Sequence, residues 1–176
     1  MREKINRFKA LFSKWNASIN LSAARSSGAI DEQIADSREV VRLLRGAKRV
    51  LDVGSGGGFP VVLAAIELPE TEFVALEPVH KKHAFLRTAA RELGLSNLEA
   101  HAIRAEAHDG RDYDVAMSRA TFDLREWLEL GTLFVAAGGC VLGFEGVLRT
   151  DLPAAVERFP YGDGGKQRAL VRLRRG

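Results

Sequence analysis

The sequence predicts an α/β fold: a mostly parallel sheet covered by helices on both faces. Three observations predict it. From residue 49 onward, apolar runs of strand length alternate with longer helix-like segments, and such alternation requires parallel strands joined by crossover helices. The run Val50-Leu51-Asp52-Val53 leads into Gly54-Ser55-Gly56-Gly57-Gly58-Phe59-Pro60, a strand, a tight turn and a helix start. A second run, Phe73-Val74-Ala75-Leu76-Glu77, ends in an acid.

Each element follows from its pattern. Ile5, Phe8, Phe12, Trp15 and Ile19 recur at spacings of three and four, which makes an amphipathic helix whose aromatic stripe packs in the core. Ala29 to Arg45 forms a second helix. Strands are expected near 49–53, 73–77, 98–103, 114–118, 139–145 and 168–174. Helices are expected near 60–68, 79–93 and 122–136, with a further one over 147–158. Gly94 is placed to cap the helix before it. At 176 residues the chain is expected to form one domain, an N-terminal helical extension (1–46) and a core (47–176).

The glycine segment is the first candidate site. Glycine lets backbone pass close to a ligand in dihedrals other residues avoid. Pro60 suits a helix start, and the unpaired N–H groups there suit a polar or anionic ligand group. A dinucleotide fingerprint needs a third glycine where Phe59 or Val61 stands. A phosphate loop needs Gly-Lys-Ser/Thr after the glycines, and Phe59-Pro60-Val61 is not that. What remains is D-x-G-x-G-x-G, with Asp52 two residues before Gly54. Glu77 follows Gly54 by 23 residues, close to the offset of about 20 at which an acid meets a ribose in βαβ sites. Taken alone, the glycines could also be a ligand-free βα turn and Glu77 an acid capping the next helix.

Composition excludes several classes. The single cysteine, Cys140, lies in an apolar run and has no disulfide partner. No apolar run is long enough to span a membrane, and no secretory leader is seen, so a cytoplasmic location is expected. His80, His83, His101 and His108 have neither metal-ligand nor triad spacing, so no metal is expected. Charge is uneven: residues 1–49 carry a balance of +6, residues 50–165 of −8 and residues 166–176 of +5. Basic ends could meet phosphates, or be solvated helix faces and a tail.

The D-x-G-x-G-x-G pattern resembles the first motif of class I S-adenosylmethionine-dependent methyltransferases. Further segments resemble one family within that class, the RsmG or GidB methyltransferases, which methylate guanine N7 in 16S ribosomal RNA. They are Trp15-Asn16, Asn20-Leu21-Ser22-Ala23, Asp36-Ser37, Gly54 to Pro60, Lys81-Lys82 with Phe85-Leu86-Arg87, Arg104-Ala105-Glu106 and Ser118-Arg119-Ala120. The resemblance implies a Rossmann-like class I fold with a seven-stranded, mostly parallel sheet and an N-terminal helical extension. It implies S-adenosylmethionine as cofactor and 16S rRNA or the small ribosomal subunit as partner. A monomer is expected.

The resemblance also implies roles. Asp52, Gly54, Ser55, Gly56, Gly58, Phe59, Glu77, Ala105, Glu106 and Arg119 would form the cofactor site, with Gly54 and Phe59 acting through main chain and Ala105 and Glu106 bordering the adenine. Arg119 would stand at the mouth of the cofactor pocket, close to where methyl transfer occurs; from the residues alone its guanidinium could pair with a carboxylate or phosphate, with a structural salt bridge to an acid such as Asp52 as the second reading. Guanine N7 carries a lone pair and no proton, so no general base is expected and catalysis is mostly positioning. The chain departs from the family pattern at Gln33, where the family has histidine, at Val61 for glycine and at Glu145 for lysine. Glu145 is expected to repel RNA phosphate, and the family's basic C-terminal tail is not seen. These departures leave a small-molecule methyltransferase, or a non-catalytic RNA-binding relative, as alternatives.

Overall fold

A computed structural model of the protein describes residues 1–162 and 168–176. Two helices, α1 (Arg2–Ile19) and α2 (Ser27–Leu44), precede the sheet. Then follow β1 (Arg49–Val53), α3 (Val61–Glu67), β2 (Glu72–Leu76), α4 (His80–Leu93), β3 (Leu98–His101), a 3-10 turn (Ala105–Ala107), β4 (Tyr113–Met117), α5 (Leu124–Gly131), β5 (Val135–Glu145), β6 (Glu157–Tyr161) and β7 (Arg168–Arg174). The seven strands are ordered β3-β2-β1-β4-β5-β7-β6. β1 to β5 run parallel, and β7 pairs antiparallel with both β5 and β6. The order reverses between β1 and β4, and ligands in such sheets bind beyond the strand C-termini at that reversal.

Successive strand residues point to opposite faces, and both faces are buried. Val50, Phe73, Val115 and Leu142 join the core beneath α1 to α4. Leu51, Leu76, Ala116 and Val141 join a second core under α5 and the 3-10 turn. On α1 the buried stripe is Ile5, Phe8, Phe12 and Asn16. Phe8 and Phe12 each lie 5.1 Å from the Phe59 ring, and Trp15 lies 5.6 Å from Phe85. The helix ends where Asn20 adopts φ 56°, a conformation asparagine tolerates. Ser26 caps α2 by accepting from Ala29 N at 3.1 Å, and Gly94 closes α4 at φ 58° as expected.

Three expectations need correction, all in the last third of the chain. The helix expected over 122–136 is shorter, Leu124–Gly131, because Val135 already pairs with Tyr113 in the sheet. Strand β5 therefore starts earlier than the expected 139, and its register shifts around Gly138-Gly139, where Gly138 takes φ 78°. The helix expected over 147–158 does not form. Residues 147–156 are irregular and Glu157–Tyr161 is the edge strand. Pro153 would break a helix there, while Pro160 is tolerated in an edge strand.

The basic ends are largely engaged by the fold. Arg168, Arg172 and Arg174 are ion-paired with Asp36 or Glu157, and Arg175 donates to the Val135 carbonyl. At the other end, Arg7 donates to the Glu92 carbonyl at 2.6 Å and Lys9 pairs with Asp31 at 2.5 Å. Lys166, part of the basic C-terminal stretch, lies outside the described residues. No helix among the described residues is long and apolar enough to cross a membrane. Cys140 is a free, buried thiol whose pKa burial pushes up.

Candidate active site

The expected site residues gather at the C-terminal ends of β1 to β4, with Ala105 and Glu106 following β3. The loop after β1 folds back on β2: Gly54 N and Ser55 N both donate to Leu76 O, at 2.8 and 3.1 Å. Gly54, Gly56 and Gly58 all have positive φ, at 75°, 53° and 82°. Gly54 and Gly58 are also closely approached, and a Cβ on Gly58 would stand 2.6 Å from Val62 Cγ2. A Cβ on Gly54 would stand 2.0 Å from Thr121 Oγ1, whereas one on Gly56 would meet nothing nearer than 3.8 Å and would project into open space.

Two cavities meet at this loop. One, of about 620 Å³, is walled by Gly54 to Gly57, Phe59, Glu77, Lys82 and Arg119, and on its far side by Leu21, Ser22 and Gln33. The other, of about 210 Å³, is lined by Val53, Leu76, Ile103, Ala105, Glu106 and Phe122. They share Gly54, Pro78 and Thr121. The first is polar and charged and the second mostly apolar, which suits an elongated ligand with a zwitterionic end and a flat heterocycle. In a depression of about 710 Å³ at the opposite end of β1 and β2, around Gly46 to Arg49, Arg49 is paired with Glu72 and Glu67 with Arg38.

Glu77 is 4% exposed and bonded at both oxygens. Its Oε2 accepts from Gly56 N at 2.8 Å and its Oε1 from Val79 N at 2.9 Å. It thus ties the glycine loop to the start of α4, and each carboxylate oxygen keeps a second lone pair for a ligand hydroxyl. Ser118 anchors the facing loop by donating to Val53 O at 2.7 Å. Ala120 takes φ 58° there, in the left-handed region.

Asp52 sits beneath the loop and off the cavity wall. It is 1% exposed, and its Oδ2 has no hydrogen-bond partner. Burial pushes its carboxyl up to about 7, against the opposing pull of Ser55 and the Arg119 charge. Arg119 does not pair with Asp52. Its guanidinium donates to Gln33 Oε1 and lies 6.0 Å from the Phe59 ring and 5.9 Å from that of Phe144. Burial lowers its pKa, while Asp36 and Asp52 oppose that shift.

Sequence reasoning gave no role to Ser22, Gln33, Lys82 or Thr121, all on the cavity wall. Asn20-Leu21-Ser22-Ala23 and Lys81-Lys82 were the available signals. Glu145 needs correction: it is 4% exposed, accepts from Arg149 N at 2.9 Å and pairs with Arg158 at 3.1 Å. A buried, neutralised carboxylate does not repel RNA. Three histidines have structural partners: His108 with the Tyr113 hydroxyl at 2.9 Å, His83 with Ala100 O at 3.1 Å and His101 with Glu99 at 3.1 Å.

A family model described as rRNA small subunit methyltransferase G matches residues 1–160. The chain belongs to that family. Relatives named ribosomal RNA small subunit methyltransferase G include one from Wolinella succinogenes, 36% identical over 83% of this chain and 76% of its own. Another, from Laribacter hongkongensis, is 41% identical over 78% of this chain and 67% of its own. Among solved structures, the O-methyltransferase TomG from Streptomyces achromogenes in complex with SAM superposes with a TM-score of 0.69, at 19% identity, over 96% of this chain and 90% of that one. That likeness shows the Rossmann-like class I fold. The chain is a methyltransferase with S-adenosylmethionine as methyl donor.

Proposed function

We propose that the chain transfers the methyl group of S-adenosylmethionine to N7 of a guanine in small-subunit ribosomal RNA, as one domain in which the extension and the core act together. The observation that carries this reading is the family match over residues 1–160, which spans both the extension and the site. The cavity chemistry supports it. Neither cavity is lined by a histidine or a cysteine, and an acceptor nitrogen with a free lone pair needs no base.

The residues present fit the cofactor. A side chain at Gly56 would fill space on the cavity wall, Gly54 packs against Thr121 with no room for a Cβ, and Asp52 holds an unpartnered carboxylate oxygen beneath the loop. Glu77 would accept the ribose hydroxyls, Ala105 and Glu106 would border the adenine, and the main chain of Gly54, Ser55 and Phe59 would line the methionine end. S-adenosylmethionine supplies an electrophilic methyl group on a sulfonium. The chain's part is to align donor and acceptor and exclude water, which Phe59 and the segment Arg119–Thr121, all on the cavity wall, would do. Arg119 stands at the mouth, where its cation can meet an anionic group of cofactor or RNA. Lys82, on the wall of the same cavity, has no ion pair among the described residues and can face phosphate.

The pairing of Glu145 with Arg158 removes the main reason for a small-molecule acceptor. Mass spectrometry of small-subunit rRNA from a strain lacking this protein tests the proposal. Loss of one N7-methylguanosine is expected, and an unchanged methylation pattern would overturn it.

A further inference from the structure

We propose that Gln33 is a positioning residue for Arg119, and that a hydrogen-bonded chain from the N-terminal extension, Asn16 to Ser22 to Gln33, fixes the guanidinium at the mouth of the cofactor cavity. The inference rests on reading that cavity as the S-adenosylmethionine site. A guanidinium has five N–H donors and no acceptor, so its pose depends on where acceptors stand. Among the described residues, the side-chain hydrogen bond of Arg119 goes to Gln33 Oε1. The Phe59 and Phe144 rings flank it at about 6 Å, which favours a cation nearby without fixing its rotation.

The other charges around Arg119 are committed or out of reach. On α2, Asp36 gives both oxygens to Arg168 of β7, at 2.6 and 2.5 Å. On β1, Asp52 attracts Arg119 from below but forms no ion pair with it among the described residues. Tyr161 of β6 completes the ring of titratable groups facing it. An amide oxygen, not a carboxylate, is therefore what orients the cation, so its charge stays available to a ligand.

The amide is itself held in one orientation. Gln33 Nε2 donates to Ser22 Oγ at 3.4 Å. A flipped amide would set its NH2 against the guanidinium N–H groups, which cannot accept. Ser22 is fixed in turn: its N donates to Asn16 Oδ1 at 2.9 Å and its Oγ accepts from Ala24 N at 3.1 Å. Asn16 is 3% exposed and its Nδ2 donates to Ala24 O at 2.8 Å. The conformation of the turn after α1 is thereby transmitted to a cation 86 residues beyond Gln33.

The test is a double-mutant cycle read by calorimetric titration with S-adenosylhomocysteine. Gln33→Ala is expected to weaken binding about tenfold, the scale of a hydrogen bond to a charged group. Gln33→Met, which keeps the bulk and removes the acceptor, should reproduce that loss. Added to Arg119→Ala, Gln33→Ala should cost less than about twofold, because its partner is gone. Gln33→His at pH 8, where a neutral imidazole nitrogen can accept, should restore affinity to within about threefold of wild type. Unchanged affinity in Gln33→Met, or a tenfold loss that persists in full beside Arg119→Ala, overturns the proposal. A wild-type protein that does not bind S-adenosylhomocysteine overturns the cofactor site with it, whereas the cycle breaks the role of Gln33 alone.

Discussion

The two halves of the sheet are held together by different means. On the β1–β2 side, the site is built from backbone. The glycine loop, Leu76 O and Gly56 N make the contacts, and Glu77 is the main side chain among them. On the β5–β7–β6 side, ion pairs do the work: Glu145 with Arg158, Glu157 with Arg172 and Arg174, Asp36 with Arg168, and Arg149 with Asp123 and Asp151. Backbone geometry is rigid and suits a cofactor that must be met in one pose. Charge pairs between distant segments suit an edge whose connections are irregular. Substitutions should therefore disable the first half by steric means and the second by leaving a charge alone.

The largest effect is expected at Gly54. Valine there would carry a β-branched side chain at φ 75° with its Cβ against Thr121. Left-handed strain and overpacking together cost about 4 kcal/mol. Chemical denaturation should show that loss, and titration should show no S-adenosylhomocysteine binding. Next comes Arg158→Ala, which leaves the buried Glu145 carboxylate without its partner. Breaking a buried pair costs about 3 kcal/mol. Denaturation should reveal it with cofactor affinity little changed, since the two halves are separate supports.

Asp52 gives a smaller effect with a defined sign. Its carboxyl is pushed from 3.8 up to about 7 by burial. Well below pH 3.8 it is protonated whether the chain is folded or not, and nothing is lost. As pH rises from 4 to 7 the unfolded chain ionises first, so stability falls. Asp52→Asn has no such charge to bury. Its melting temperature should gain on wild type by about 5 °C between pH 5 and pH 8. A difference that stays constant with pH would show the carboxyl to be unperturbed. The smallest effect is expected for Gly56→Asn. Asparagine tolerates φ 53°, and its side chain would enter the cavity. Melting should change little while S-adenosylhomocysteine affinity falls about tenfold, or about 1.4 kcal/mol.

The same contrast explains what could be read from the chain alone. The glycine loop and Glu77 were legible as wall residues of the cavity because each is a short local pattern attached to an apolar run, whereas Asp52, expected at the cofactor, lies beneath the loop and off the wall. The parallel strands were legible for the same reason. Strand β6 was not, since Glu157 to Tyr161 gains its pairing from β7 rather than from its own residues. Glu145 read as a surface acid because its partner, Arg158, lies thirteen residues away across an irregular segment. Gln33 stood out only as a departure from a family pattern. That it touches Arg119, 86 residues on, is a fact of folding that no local spacing encodes.

Phe8 and Phe12 pack on Phe59, Phe12 also lies against Gly57, and Trp15 rests on Phe85. During synthesis these first residues leave the ribosome long before the surfaces that will cover them. An 18-residue helix is marginal in water on its own, so its aromatic face stays bare until α4 has been made. The first helix is thus expected to wait for α4 before it is seated, and until then its three aromatic rings, Phe8, Phe12 and Trp15, would be open to chaperones or to one another.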